Sequence, residues 1–251
     1  MIPVDIVQTF FTKRTQHHIQ YLYVKPKDHK PTLCFIPGFQ SDFITSKKSH
    51  LVYQLCKRHE FGFLSWNHSV LDSETSIFDW YNDGIDLLSE FHIDYIVCAS
   101  MGLWISLLMS TNMKIRGVLS IGGAIDVTEK WLSEIPSDRK NEIKVYKRPS
   151  TYDPSGYYDI PMHFLIESRK ACLQIKDNGI NYDKAIPIYM LHGQKDVDCS
   201  IEDARLIKEF LVRNQQKNVR FYEIEDGDHR LSKPAELRFI EQKIIDMISK
   251  N

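Results

Sequence analysis

No C-x-x-C pair occurs in the 251-residue sequence; the five cysteines, Cys34, Cys56, Cys98, Cys172 and Cys199, are scattered. That spacing excludes a disulfide framework and predicts free thiols in a reducing compartment. H-E-x-x-H and clustered cysteine or histidine ligand spacings are also missing, so no metal is expected. Without a P-loop or a G-x-G-x-x-G turn, no nucleotide cofactor is expected either, and the chain should work with none. No charge of one sign dominates: 32 basic residues face 33 acidic ones. Such a balance carries no footprint for nucleic acid or an anionic membrane. The basic pair Lys47-Lys48 is short and reads as solvated surface.

Long apolar runs are absent as well. With no stretch of eighteen apolar residues, no membrane span is expected. The opening MIPVDIVQTFFTKRTQHHIQ alternates apolar and polar residues, whereas a signal peptide needs a charged start and then an apolar core. A cytoplasmic protein is therefore expected. Repeats and low-complexity tracts are lacking too, so residues 1–251 read as a single domain.

What is present is a regular alternation. IVQTFF and IQYLYV alternate in hydrophobicity around KRTQHH, which predicts an antiparallel pair at a sheet edge, with His17 and His18 solvated. Continuous apolar runs follow: TLCFIPG (32–38), FGFLSW (61–66), IDYIVCAS (93–100), IRGVLSIGG (115–123), IPIYMLHG (186–193) and VRFYEI (219–224). Such runs predict strands buried on both faces of a parallel sheet. Helical patterns separate them, at about 47–60, 77–90, 103–112, 201–214 and 234–249. The fold class is therefore α/β with a mainly parallel central sheet and helices on both faces. One segment, about 127–184, is rich in charge, tyrosine and proline and breaks the alternation. It reads as a small inserted helical cap.

The stretch CASMG (98–102) turns abruptly where a buried strand gives way to a helix. Ligands of open α/β sheets bind beyond the carboxyl ends of strands, and Ser100 lies at such an end. The pattern is close to G-x-S-x-G, the strained strand-to-helix turn that holds a nucleophilic serine. Gly102 fits; Cys98 stands where the first glycine belongs. A serine here also suits a helix N-cap. A nucleophilic serine needs a histidine held in one tautomer by a carboxylate. HGQKD after one strand ends on Asp196, with Asp198 close by as an alternative, and EDGDHRLS after the next holds His229 in a tight turn. Serine, aspartate and histidine thus follow in the chain order of G-x-S-x-G hydrolases. For an oxyanion, the Met101 amide lies at the helix start and the Phe39 amide follows Gly38 in FIPGF. His192 suits a strand end with ring hydrogen bonds better than chemistry.

CASMGLW, FIPGF, HGQKD and GDHRLS together resemble the serine hydrolases of the α/β-hydrolase superfamily. RPSTYDPSGYYDIPMHFLIESRKACL further resembles the matching segment of a subgroup of small mitochondrial and alphaproteobacterial hydrolases. That subgroup includes a palmitoyl-protein thioesterase also described as mycophenolic acid acyl-glucuronide esterase. The resemblance covers most of residues 30–250. It implies Ser100 as nucleophile, His229 as base and then acid, Asp196 as its orienter, and Phe39 with Met101 as oxyanion donors. It also implies ester or thioester substrates carrying an acyl chain, on a small molecule or a protein. Three departures stand out: Cys98, Leu103 in place of a second glycine, and SWNHSVLDSE in place of a glycine-rich stretch, which should reshape a pocket wall. In the cap, Tyr146, Tyr152, Tyr157, Tyr158 and Phe164 could line an acyl cleft or pack the cap onto the sheet; Trp104 reads as core. A non-catalytic binding protein that keeps the fold is the alternative reading, and the polar surface KRPSTYDPSGYYD a further candidate for binding a partner.

Overall fold

The structure is a computed structural model describing residues 2–140, 142–151, 153–175, 181–214 and 218–250. In chain order the elements are β1 (Gln8–Phe11), β2 (His18–Val24), β3 (Thr32–Ile36), α1 (Lys47–His59), β4 (Gly62–Trp66), α2 (Ile77–Leu88), β5 (Tyr95–Ala99) and α3 (Gly102–Ser110). They continue with β6 (Gly117–Ile121), α4 (Val127–Glu134), β7 (Val145–Pro149), β8 (Tyr157–Pro161), α5 (Met162–Ser168), β9 (Ile188–Gly193), α6 (Ile201–Arg213), β10 (Val219–Ile224) and α7 (Pro234–Ser249). Eight strands form one sheet in the order β1-β2-β4-β3-β5-β6-β9-β10. Within this sheet, among the described residues, only the β1/β2 and β2/β4 pairings are antiparallel; the pairings along β4-β3-β5-β6-β9-β10 are parallel.

Helices cover both faces, which is why the central strands read as unbroken apolar runs. All residues of β3, β4, β5, β6 and β9 are buried. One core lies between the sheet and α2, α3 and the segment after β6; the other lies under α1 and α7. β10 differs: it pairs only with β9, at the sheet's edge, and Arg220 and Glu223 point outward, exposed. Helix starts are set by side chains that take up the first amides. Asp79 accepts from the Ser76 amide at the head of α2. At α6, Ser200 and Asp203 cap one another's amides.

β3 leads into α1 and on to β4 on one side, whereas β5 leads into α3 and β6 on the other. The loops after β3 and β5 therefore diverge and leave a crevice beyond the strand ends. Above it lies the segment between β6 and β9. Alongside α4 and α5 it carries an antiparallel pair, β7 with β8, which the charge- and proline-rich composition conceals. The edge hairpin also differs from expectation. Its turn is docked on α2: the Arg14 amide donates to Asp86 at 2.8 Å, and His17 lies 3.3 Å from the fully buried Asp83. Only His18 is exposed as a solvated histidine should be; His17 is tied down because a buried carboxylate needs partners. No described helix is long and apolar enough to cross a membrane.

Candidate active site

Ser100 sits between β5 and α3 with φ of +50°. That left-handed conformation is costly for a residue with a Cβ and persists only where surroundings enforce it. Here the Ser100 amide donates to Ile121 at 3.0 Å, while its carbonyl accepts from Leu103 and Ala124, each at 3.0 Å. Gly102 allows the turn to close. A Cβ there would lie 2.7 Å from the Ile36 carbonyl oxygen and 3.2 Å from the Cys98 Cβ. The elbow thus admits Cys98 because its small side chain points into the core, where its Sγ reaches the Leu119 carbonyl at 3.6 Å. Burial pushes that thiol up to about 12, which leaves it protonated and inert. Leu103 finds its room on the other side. It packs over Gly123, where a Cβ would stand 2.8 Å from its Cδ2.

Asp196 follows β9 and is buried. Its Oδ2 lies 2.7 Å from His229 Nδ1, and its Oδ1 accepts the Asp198 and Cys199 amides, each at 2.9 Å. Burial would raise its pKa, but hydrogen bonds from His192, His229 and the Cys199 amide hold it well below the usual carboxylate range. Asp198 does not meet the histidine's Nδ1 in this way; its carboxylate lies 3.9 Å from Arg148. The loop bearing His229 is shaped by Asp228, whose Oδ1 accepts the Arg230 and Leu231 amides. Because an ionised carboxylate only accepts, Nδ1 carries the hydrogen and Nε2 is left as the basic nitrogen. Among the described residues, Asp196, Asp198 and His229 also bring three potential metal-ligand atoms within 4.8 Å of one another. The direct bond between Asp196 and His229 makes this first of all an oriented imidazole.

Ser100, His229, Phe39 and Met101 line one cavity of about 770 Å³. Ala124, Ile125, Ile175 and Ile207 give it apolar walls, and Trp131 and Tyr158 reach it from the segment above. The Phe39 ring is packed on four others, Trp80, Trp131, Tyr158 and Phe164, at centroid distances of 5.1 to 5.9 Å. Three of these belong to the segment 127–184, so the loop after β3 and the roof of the cavity support each other. Tyr158 lines the cavity, whereas Phe164 is fully buried and does not line it. Tyr146 bonds Glu134 and Tyr157 meets Lys147, both at the surface; Tyr152 lies outside the described residues. Trp104 is core, donating to the Ala171 carbonyl at 2.9 Å.

Several contributors escape a reading of the sequence alone. Lys48, expected on solvated surface, lines the cavity and donates to the Arg230 carbonyl at 2.9 Å. Burial, with Arg230 nearby, lowers its pKa to about 8. Residues 65–74, expected to reshape a pocket wall, are absent from the cavity lining among the described residues. Their effect is indirect: half-buried His68 reaches the Pro37 carbonyl at 3.1 Å and stacks on Trp80. Burial lowers its pKa to about 4, so it is neutral. Its only sequence signal was its place in the SWNHSV stretch.

No protein-family model matches the chain. It is similar to the rat protein named palmitoyl-protein thioesterase ABHD10, mitochondrial, with 25% identity over 241 residues covering 91% of this chain and 78% of the relative. The mouse protein of that name is 24% identical over the same shares. Among solved structures, a putative hydrolase from Agrobacterium vitis S4 superposes with a TM-score of 0.83 at 20% identity, covering 96% of this chain and 98% of that one. Mouse alpha/beta hydrolase domain-containing protein 10 does so at 0.80 and 23%, covering 97% and 98%. The chain has the α/β-hydrolase fold.

Proposed function

We propose that this chain is a serine hydrolase of carboxylic esters or acyl thioesters, built as one α/β-hydrolase domain with a cap at about 127–184. The observation that carries the reading is a strained serine at the end of β5, on the same cavity as a histidine whose Nδ1 is bonded to a buried aspartate. Ser100 Oγ attacks the substrate carbonyl carbon as its proton passes to His229 Nε2. Asp196 keeps the ring in the needed tautomer and stabilises its positive charge. The oxyanion accepts from the Phe39 and Met101 amides, the latter favoured by the start of α3. Collapse expels the alcohol or thiol, which takes the proton from His229 and leaves an acyl group on Ser100. Water, giving its proton to His229, then attacks the acyl carbon, and the acid departs as Ser100 recovers its hydrogen.

The apolar walls beside Ser100 suit an acyl chain, and a cavity of this size suits a small organic group. Similarity to proteins named palmitoyl-protein thioesterase favours acylated substrates, thioesters among them. All five cysteines are buried free thiols, in keeping with the reducing compartment expected from their spacing; the relatives' names place those proteins in mitochondria. A fluorescent fluorophosphonate tests the reading. The wild type should be labelled, and Ser100→Ala and His229→Ala should not. A folded wild type that stays unlabelled and turns over neither nitrophenyl esters nor acyl thioesters would favour the binding-protein alternative.

A further inference from the structure

The imidazole of His192 lies near the end of β9, 1% exposed, and the reaction proposed above makes no use of it. Its Nε2 is 2.8 Å from the Cys199 carbonyl oxygen and 3.2 Å from Asp196 Oδ2. Both partners can only accept, so Nε2 carries a hydrogen shared between them. Nδ1 is buried and has no hydrogen-bond partner among the described residues. A hydrogen on Nδ1 would be buried unpaired there, so Nε2 is the donor of this ring. Two imidazoles therefore meet the same carboxylate oxygen: His229 through Nδ1 and His192 through Nε2.

We propose that His192 is a positioning residue for Asp196, clasping the loop 196–199 to β9 so that Oδ2 is aimed at His229 and shares its charge with a second donor. This rests on the hydrolase reading for its effect on turnover. The clasp has two points, a carbonyl and a carboxylate of one loop, held from a strand buried on both faces. The Asp198 and Cys199 amides fix Oδ1, and without His192 the second oxygen would be held by His229 alone. Other charges around the site are His229, Asp198, Lys48 and, from β7, Arg148. Asp198 and the two cations remain when His192 is replaced, so the change read out belongs to the lost donor.

A carboxylate with one donor fewer holds its remaining partner more strongly, so the His229 ring should protonate at higher pH. His192→Met and His192→Gln are similar in volume, and only glutamine can donate. In His192→Met we expect kcat to fall about tenfold with KM little changed, and the acid limb of kcat/KM to move up by roughly half a pH unit. His192→Gln should restore the limb. Titration of the His229 ring protons by NMR should show the same shift and the same rescue whether or not the protein turns over. Should the methionine variant not fold, His192→Leu takes its place. A folded variant lacking the donor that keeps the wild-type limb and NMR titration overturns the proposal, as does a glutamine variant that restores neither. If the wild type is neither labelled nor active, the hydrolase reading falls and the NMR titration alone decides the role of His192.

Discussion

The floor and the roof of the cavity are built in different ways. The floor, at the ends of β3, β5, β9 and β10, is held by backbone: Gly102 against Ile36, the Ser100 carbonyl receiving two amides, and the Asp196 carboxylate receiving two more. The roof is held by side chains, chiefly the aromatic cluster around Phe39 and ion pairs such as Arg169 with Glu129 at 2.7 Å. Backbone contacts tolerate displacements of tenths of an ångström, and a side-chain cluster can repack around changes of shape. On the proposed hydrolase reading, a reacting geometry set to within such tolerances belongs on the floor, and selection of the acyl group would fall to the roof.

Ser100→Gly should give the largest effect. Turnover falls by about 10⁶-fold, yet the unfolding free energy rises by up to about 1 kcal/mol, because glycine adopts the left-handed conformation without strain. Denaturant titration beside an esterase assay checks both halves, and a destabilised Ser100→Gly would mean that the floor stores no strain at this residue. Trp131→Ala is the matching change in the roof. Removing this buried ring should cost roughly 3 kcal/mol of stability, raise KM, and leave kcat within about threefold, since the backbone contacts that hold Ser100 and Asp196 do not involve it. A collapse of kcat at unchanged KM would erase the division between the two regions.

The smallest effect concerns Lys48, where the floor holds a partly buried cation. Its folded pKa of about 8 lies below the ordinary value of about 10.4. Between those values the unfolded chain binds more protons than the folded one, so this group makes stability rise with pH across that window. Lys48→Met should remove that part of the slope, visible as the difference between the two proteins' unfolding free energies at pH 7.5 and about pH 10. Parallel curves would place the amine in effective contact with water.

Much of the floor was legible in the sequence because its signals are local. Apolar runs marked β3, β5, β6 and β9 nearly to their ends, and the turn chemistry of Pro37-Gly38, Met101-Gly102 and Gly227-Asp228 pointed to the loops. Ser100 and Asp196 each follow a buried run, and His229 follows the half-exposed edge strand β10, in a chain order that few folds share. The roof was less legible: β7 and β8 carry charge, tyrosine and proline rather than a periodic apolar face.

By itself the sequence determined an α/β fold, the strands of the central sheet with the helices between them, and which polar residues stand at strand ends, because hydrophobic period and turn residues act over a few neighbours. Only the tertiary structure decided that Leu103 rests over Gly123, that His68 reaches Pro37 across 31 residues, and that Lys48 meets Arg230 across 182. It also brought His192 and His229, on adjacent strand ends, to one oxygen of Asp196. Contacts between residues distant in the chain depend on how whole layers pack, and a local pattern carries no record of that packing.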